Sequence, residues 1–307
     1  MGFRLTDFSS WKSYCEDNDV PLYAPILEYE YEQKGNSEEV VWERLSHAFH
    51  VMKDAVETGL SRDMNSRSGM IKGGAKKVSN CGIAVLTPEF QQLIARSLAA
   101  KEVNSCMGRI VAAPTAGASG ILPGVLYTAQ VVHNLPEKKI LEGLLVGAGI
   151  ALIIEQRASL AGAVGGCQAE TGSAAAVAAG ALVYCLNGSI DQVFNAVAIT
   201  IQCTLGLICD PVAGLVEVPC VVRNASAAAI ANSSAQIALS DVDSVIPVDE
   251  CVDAMGEVGQ SMEERYKETA LGGLAATPTG QSISKQVLID EIEILPDEDQ
   301  PEQENPE

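Results

Sequence analysis

The chain has 307 residues, with 40 Asp and Glu against 20 Lys and Arg, so its net charge at pH 7 is −20. This acidic balance argues against nucleic acid and anionic lipid as partners, because both need a basic protein surface. Hydrophobic residues make up 47% of the chain and aromatic residues only 5%, so small aliphatic side chains must fill the core.

Residues 1–60 form a predicted amphipathic helical region. Apolar residues recur at helical spacing over 38–57, for example at Val41, Leu45 and Phe49. The first ten residues lack an apolar run, so we expect no secretory signal, a cytoplasmic location and reduced thiols. Residues 61–80 are rich in Gly, Ser and Lys and are predicted to be a loop, and Thr87-Pro88 predicts a helix start, with that helix running to residue 101.

The chain is apolar and rich in Ala and Gly from residue 107 onward, which predicts an all-α fold. We expect a compact bundle of buried helices joined by Gly/Pro loops, with the helices at 124–133, 139–157, 172–186, 190–206 and 224–239. A polar helix is predicted over 252–269. Residues 61–290 are assigned to one main domain and 291–307 to a disordered acidic tail. Buried parallel strands are the alternative for the Gly/Ala-rich part.

Three long uncharged stretches raise the question of a membrane protein. Residues 171–190, 192–209 and 224–240 contain no charged residue. By length alone, each stretch could span a bilayer. They are built from Ala, Gly, Ser, Thr, Asn and Gln, however, and no basic clusters or aromatic belts flank them. We therefore predict helices buried in a globule and no membrane association.

The common nucleotide-binding and hydrolase motifs are absent from this sequence. There is no phosphate-binding P-loop, and Gly147-Ala-Gly149 lacks the third glycine of a dinucleotide fingerprint. Lys72 lies in a small-residue loop and could form a Schiff base with pyridoxal phosphate. No phosphate-cradling glycine loop accompanies it, so a pyridoxal-phosphate lyase is kept only as an alternative.

Three of the nine cysteines lie where predicted helices meet Gly/Pro loops. They are Cys167, Cys209 and Cys220, and backbone N–H groups at helix ends stabilise thiolates. Cys185 and Cys203 lie inside predicted apolar helices and are interpreted as buried fillers. Spacing alone leaves a three-cysteine metal site as one of several options for the junction cysteines.

Five segments together resemble the alpha chain of bacterial iron–sulfur L-serine dehydratases. They are residues 108–124, 165–172, 205–211, 218–220 and 271–280, and the resemblance extends over about 66–280. It implies an all-α iron–sulfur catalytic domain and conversion of L-serine to pyruvate and ammonia. It also implies a [4Fe–4S] cluster and no pyridoxal phosphate.

By this resemblance, Cys167, Cys209 and Cys220 each bind one iron of the cluster. The fourth iron then lacks a cysteine and has an open position, where it can act as a Lewis acid on the carboxylate and hydroxyl of L-serine. Some relatives close this position with a C-terminal cysteine. This chain ends in Asn305-Pro306-Glu307, so another group is expected there.

Candidate substrate and supporting residues flank the cysteines. Thr115, Ser119 and Gly120 lie in a Gly-rich turn whose backbone donors suit a carboxylate, and Ser68, Gly69, Lys72 and Gly73 form a second small-residue loop. Asn224 is a further pocket candidate. Gln168, Glu170 and Arg223 are expected to orient the cluster ligands. Each of these residues has a purely structural alternative, as a tight turn, a helix cap or an ion pair.

No clear base for the Cα proton is found near the cysteines. By the resemblance, a separate β chain completes the site, so we expect an obligate hetero-oligomer of this chain with that partner. Two further alternatives stay open: a related cluster-dependent L-cysteine desulfidase, and a non-enzymatic iron–sulfur helical protein.

Overall fold

The computed structural model describes residues 4–294. They form thirteen α-helices and contain no strands, only isolated bridges, so the all-α prediction is confirmed. The helices are α1 Phe8–Asn18, α2 Ala24–Lys34, α3 Glu38–Ser61, α4 Gly74–Ser79, α5 Pro88–Ser105, α6 Ile121–His133, α7 Glu137–Arg157, α8 Gly162–Gly165, α9 Ser173–Cys185, α10 Ile190–Thr204, α11 Cys220–Leu239, α12 Val248–Ser261 and α13 Pro278–Ile294.

The N-terminal helices are anchored to the main core by aromatic side chains. The backbone N–H of Ser10 donates to Asp7, which caps α1. Phe8 and Trp11 are fully buried, and both rings pack against Phe194 of α10, with ring centroids 5.0 and 5.4 Å away. The amphipathic region predicted over 1–60 is therefore helical where it is described, and it shares the core of the bundle.

The centre of the bundle is α9, whose residues are almost all buried. It packs between α7, α10 and α11, and small side chains allow these helices to approach closely. A Cβ atom at Gly180 would lie 2.5 Å from Cδ1 of Ile150 on α7 and 3.0 Å from a methyl of Val197 on α10. Uncharged Ala-rich helices thus form the inside of the protein, and no helix within residues 4–294 has the length and apolar content needed to cross a bilayer.

Short capping motifs in the sequence mark the starts of several helices. The Thr87 hydroxyl accepts from the backbone N–H of Phe90, and Pro88 is the first residue of α5. Ser189 and Gln192 form a reciprocal capping box at the start of α10. Helix α11 begins at Cys220, earlier than the predicted residue 224.

Three predictions were wrong, and tertiary contacts explain the first two. The loop predicted over 61–80 contains α4, because the Glu102 carboxylate accepts from the backbone N–H groups of Gly74 and Ala75. The helix predicted to reach residue 269 ends at Ser261, because the following segment pairs with Cys209. Cys203 is exposed on the outer side of α10 and is not a buried filler. The acidic tail was predicted over 291–307. Its first residues, 291–294, belong to α13, and the rest lies outside the described residues.

Candidate metal centre and substrate site

The structure brings the three junction cysteines into one buried region. Cys167 immediately precedes a turn of π-helix, Gln168–Gly172, which continues into α9. Cys209 lies in the loop after α10, and Cys220 is the first residue of α11. All three side chains are buried. π-Helical turns are rare and occur often at functional sites.

The three thiols influence one another electrostatically. Burial raises the pKa of Cys220 to about 12, and the nearby Cys167 adds to this rise. The pKa of Cys209 is also raised, first by burial and then by the charges of Cys167, Glu268 and Cys220. Burial raises the pKa of Cys167 as well, opposed by hydrogen bonds from Thr171 and Arg223. The three buried thiols are therefore close enough to influence one another's charge.

The three cysteines supply the ligand type that binds iron–sulfur clusters. No group of three or more His, Cys, Asp or Glu side chains within residues 4–294 is arranged to hold one metal ion. The cysteine ligands of a cluster bind different iron atoms, so their sulfur atoms need not converge on one point. Three buried thiols with Arg223 beside Cys167 therefore suit a thiolate-bound cluster.

Gln168 connects two of the cysteine segments. Its side-chain amide donates to the carbonyl of Met255 at 2.9 Å, and its Oε1 accepts from the N–H of Gly206 at 2.8 Å. Its backbone N–H donates to the carbonyl of Leu207 at 2.9 Å. Gln168 is fully buried, and it fixes the loop before Cys209 against the π-helix that follows Cys167.

A buried ion pair holds the loop after Cys209. Nη1 of Arg223 lies 2.7 Å from Oδ1 of Asp210 and donates to the carbonyl of Ile208 at 2.9 Å. The other Asp210 oxygen accepts from the N–H of Leu274 at 2.7 Å. Gly273 has a φ of +59°, and a Cβ there would collide with Asp210, so only glycine fits. The 271–280 segment singled out in the sequence therefore lies against the cysteine region.

Thr115 and Glu170 form the polar side of the site. The Thr115 hydroxyl donates to Oε1 of Glu170 at 2.8 Å and accepts from the N–H of Ala118 at 3.2 Å. A Cβ at Gly117 would collide with the Glu170 carboxylate, so glycine is required for this approach. Glu170 itself lies on the π-helix after Cys167, which places the Gly-rich turn next to a candidate ligand.

Asn224 fastens the same turn to α11. Its Oδ1 accepts from the N–H of Gly120 at 2.9 Å, and its amide donates to the carbonyls of Gly117 and Cys220 at 2.8 and 2.9 Å. Because these bonds occupy the side chain of Asn224, it positions the turn. The nearby Ser119 hydroxyl is buried and has no hydrogen-bond partner within the described residues.

The second small-residue loop rests on Glu217, near Cys220. The hydroxyls of Ser66 and Ser68 donate to Oε2 of Glu217 at 2.7 and 2.6 Å. Gly69 and Gly73 have positive φ, as expected for a turn. Lys72 is exposed at the edge of this loop, and its side chain forms no hydrogen bond within the described part of the chain.

The sequence analysis missed a buried lysine. Lys101 of α5 is fully buried, and its Nζ donates to Oδ1 of Asn104 at 2.5 Å. Burial lowers its pKa, while the negative charges of Cys220, Glu170 and Glu217 oppose that shift. The available signal was a Lys-Glu pair in an otherwise apolar stretch of helix, because a buried charge is retained only when it has partners.

Comparisons with known proteins agree with these observations. A family model described as serine dehydratase alpha chain matches residues 17–275. The L-serine dehydratase alpha chain of Peptoniphilus asaccharolyticus is 43% identical over 89% of this chain and 95% of the relative. The probable L-serine dehydratase alpha chain of Bacillus subtilis is 40% identical over 89% and 92%. An L-serine dehydratase of Streptomyces coelicolor is 38% identical over 84% of this chain but only 58% of the relative. The chain therefore belongs to the serine dehydratase alpha chain family.

Proposed function

We propose that this chain is the alpha subunit of an L-serine dehydratase, which eliminates water from L-serine to give pyruvate and ammonia. Family membership supports the reaction class. The observation that carries the proposal is that Cys167, Cys209 and Cys220 are all buried and near one another, with Glu170 of the Thr115–Glu170 hydrogen bond on the π-helix that follows Cys167.

The proposed cofactor is a [4Fe–4S] cluster held by these three cysteines, without pyridoxal phosphate. When bound, it supplies a Lewis-acidic iron with an open position for substrate oxygen atoms. Arg223 donates to the Cys167 sulfur and, together with Lys101, brings positive charge to the thiolates. Gln168 and Asp210 hold the Cys209 loop in place, as is typical of residues that orient metal ligands.

The substrate is proposed to lie between the Gly-rich turn and α5. The unpartnered Ser119 hydroxyl can donate to a carboxylate of L-serine, and the buried Lys101 ammonium supplies the opposite charge. Thr115 fixes the position of the Glu170 carboxylate against the turn, beside the proposed substrate position. The exposed Lys72 lies at the rim, where it can attract the anionic end of the amino acid.

A separate β chain is proposed to complete the site as part of a hetero-oligomer. No histidine lies among the residues described around the cysteines, and the relatives named alpha chains imply a second chain. This chain spans 58% of the Streptomyces relative, so the additional part of that relative can supply what the β chain would. This partner is proposed to supply part of the substrate pocket.

The first test is an anaerobic assay of iron, sulfide and visible absorption on the wild type, Cys167→Ala and Cys203→Ser. We expect about four iron and four sulfide per chain in the wild type and a broad band near 400 nm, as for thiolate-bound clusters. Both are expected to be lost in Cys167→Ala and kept in Cys203→Ser, which alters an exposed cysteine outside the site. Iron-free wild-type protein after anaerobic reconstitution would overturn the cluster assignment.

The second test compares L-serine with L-cysteine in the presence of the β chain. Pyruvate formed faster from L-serine supports the dehydratase, whereas faster release of sulfide from L-cysteine favours the desulfidase. A fully loaded cluster without turnover of either amino acid would favour the non-enzymatic alternative.

A further inference from the structure

The loop between α4 and α5 exposes consecutive apolar side chains. Ile83, Val85 and Leu86 are 82%, 96% and 63% exposed, and no partner segment within the described residues covers them. Soluble chains seldom present neighbouring large apolar residues to water unless the surface binds another protein.

An apolar cleft borders this loop. It has a volume of about 230 Å³ and lies between α5, α6, α9 and α11, where Phe90, Val132, Leu186 and Leu239 line it. Thr87, the residue that follows Leu86, also lines the cleft. The loop and the cleft therefore adjoin at Thr87, and the cleft offers a recess beside the exposed apolar residues.

The segment that precedes the loop in the sequence is basic, although the chain carries a net charge of −20. Residues 61–80 contain five of the 20 Lys and Arg residues and a single acidic residue, Asp63. Lys76 pairs with Asp63 at 2.7 Å. Arg62 and Arg67 are exposed and form no ion pair within the described residues. These unneutralised cations stand out in a chain that has twice as many acidic as basic residues.

Hydrogen bonds hold this surface in a fixed position relative to the candidate site. The Gln91 amide donates to the carbonyls of Val78 and Cys81 at 2.6 and 2.8 Å. At the other end of α4, Glu102 binds the N–H of Gly74, one residue from the buried Lys101. Because α5 rises about 1.5 Å per residue, Gln91 and Glu102 are separated by about 16 Å along the helix. One side of an ordinary protein interface, about 800 Å², can cover that length.

We propose that residues 61–87 and the adjoining cleft, here called the docking face, bind the β chain through a surface on which acidic residues surround an apolar anchor. This inference rests on the proposed function, which requires such a partner. Charge complementarity selects the occupant, because basic residues on one side of the apolar loop call for carboxylates opposite them. A second copy bound symmetrically would place the same patch against itself, with one acidic residue to five basic ones within 61–80, which disfavours it. A β chain seated here would also reach Lys72 at the rim of the site.

Two exposed cysteines provide a direct test of this proposal. Cys81 lies in the docking face and Cys203 lies on α10, outside it. The cluster-loaded protein would be treated anaerobically with N-ethylmaleimide, with and without the β chain of the same organism, and labelling of each cysteine followed by mass spectrometry. We expect bound β chain to slow labelling of Cys81 at least about tenfold and to leave Cys203 unchanged. Equal labelling of Cys81 in the free chain and in the complex would overturn the proposal.

A pair of matched variants tests the apolar contact independently. The triple substitution Ile83→Ser, Val85→Ser and Leu86→Ser removes the exposed apolar residues of the docking face. The control, Val242→Ser, Val245→Ser and Ile246→Ser, changes a loop of comparable exposure between α11 and α12. We expect the first variant to bind the β chain at least about tenfold more weakly in sedimentation experiments, and the control to bind it like the wild type.

The outcomes separate this proposal from the proposed function. A wild-type complex that turns over L-serine, together with normal binding by the docking-face variant, overturns the docking face and leaves the function standing. A protected Cys81 in a complex without turnover supports the docking face and counts against the function. Self-association of this chain that protects Cys81 in the absence of the β chain would assign the face to a second copy instead.

Discussion

At the scale of single residues, the site depends on short polar side chains that hold a loop in position. Thr115 donates to Glu170 and accepts from Ala118, so one hydroxyl joins the Gly-rich turn to the π-helix. Asn224 makes three hydrogen bonds to the same turn and to Cys220. Substitution of Thr115 or Asn224 is therefore expected to act by displacing the Gly-rich turn.

Thr115→Val tests the hydroxyl while keeping the shape of the side chain. A hydrogen bond to a charged group contributes about 1.5–3 kcal/mol, so we expect kcat/KM for L-serine to fall about 10- to 100-fold. Iron content should stay at the wild-type value, because Thr115 does not contact a cysteine. Thr115→Ser retains the hydroxyl and should keep most of the activity. Equal activity of the Val and Ser variants would contradict a role for the bond to Glu170.

The sequence identified the residue types of the site but not all of their partners. Cys167, Cys209 and Cys220 stood out because they flank Gly/Pro loops, and the structure places them together. Asp210, for example, forms a partly buried ion pair with Arg223. Partners that are distant in the chain leave no local pattern, so neither this pair nor the surroundings of Lys101 could be predicted.

At the scale of elements, the π-helical turn links two cysteine segments through Gln168. Gln168→Ala removes its side-chain bonds to Gly206 and Met255, so we expect the loop that carries Cys209 to loosen. Loss of such an outer contact weakens metal sites about 10- to 100-fold. Release of iron to a chelator should therefore be at least about tenfold faster than in the wild type.

The control for this prediction is Gln202→Ala on the neighbouring helix α10. Gln202 also bridges two segments, through the carbonyl of Ser244, but it contacts none of the three junction cysteines. Its iron release should match the wild type. Faster release from both variants would point to general loosening of the fold and against the specific role of Gln168.

Close helix packing around α9 predicts an unusual response to alanine. Gly180→Ala gains about 1 kcal/mol of helix propensity, but its Cβ would meet the fully buried Ile150 and overpacking costs about 1–3 kcal/mol. We expect packing to dominate and Tm to fall by about 2–5 °C. Gly147→Ala has one close contact, a Val177 methyl at 3.0 Å, and should change Tm less. A Tm raised by Gly180→Ala would show that the helices can move apart.

The sequence was sufficient to predict where helices occur, but it was not sufficient to predict where some of them begin or end. The starts of α5 and α10 follow from Thr-Pro and Ser-x-x-Gln signals that act within one turn. The start of α4 depends on Glu102, which lies 28 residues away in the chain, and the end of α12 depends on the segment that pairs with Cys209. Local rules cannot account for boundaries that distant residues determine.

At the scale of the whole molecule, the proposed cluster with an open iron predicts sensitivity to oxygen. We expect exposure to air to reduce the visible absorbance and the serine dehydratase activity with the same time course. Anaerobic storage over the same period is the control. Activity that survives loss of the absorbance would contradict the proposed role of the cluster.

The pairing of Cys209 with the segment after α12 has a consequence for synthesis of the chain. The N–H of Cys209 donates to the carbonyl of Tyr266, and the N–H of Glu268 donates to the carbonyl of Cys209. Ribosomes add about 5–20 residues per second. The roughly 60 residues from Cys209 to the segment that pairs with it therefore take about 3–12 s to be synthesised. Once Cys220 has been added, the nascent chain contains all three junction cysteines, but for the rest of that interval it cannot yet close the loop around them. Loading of iron and sulfur is therefore expected to follow translation of the last fifth of the protein.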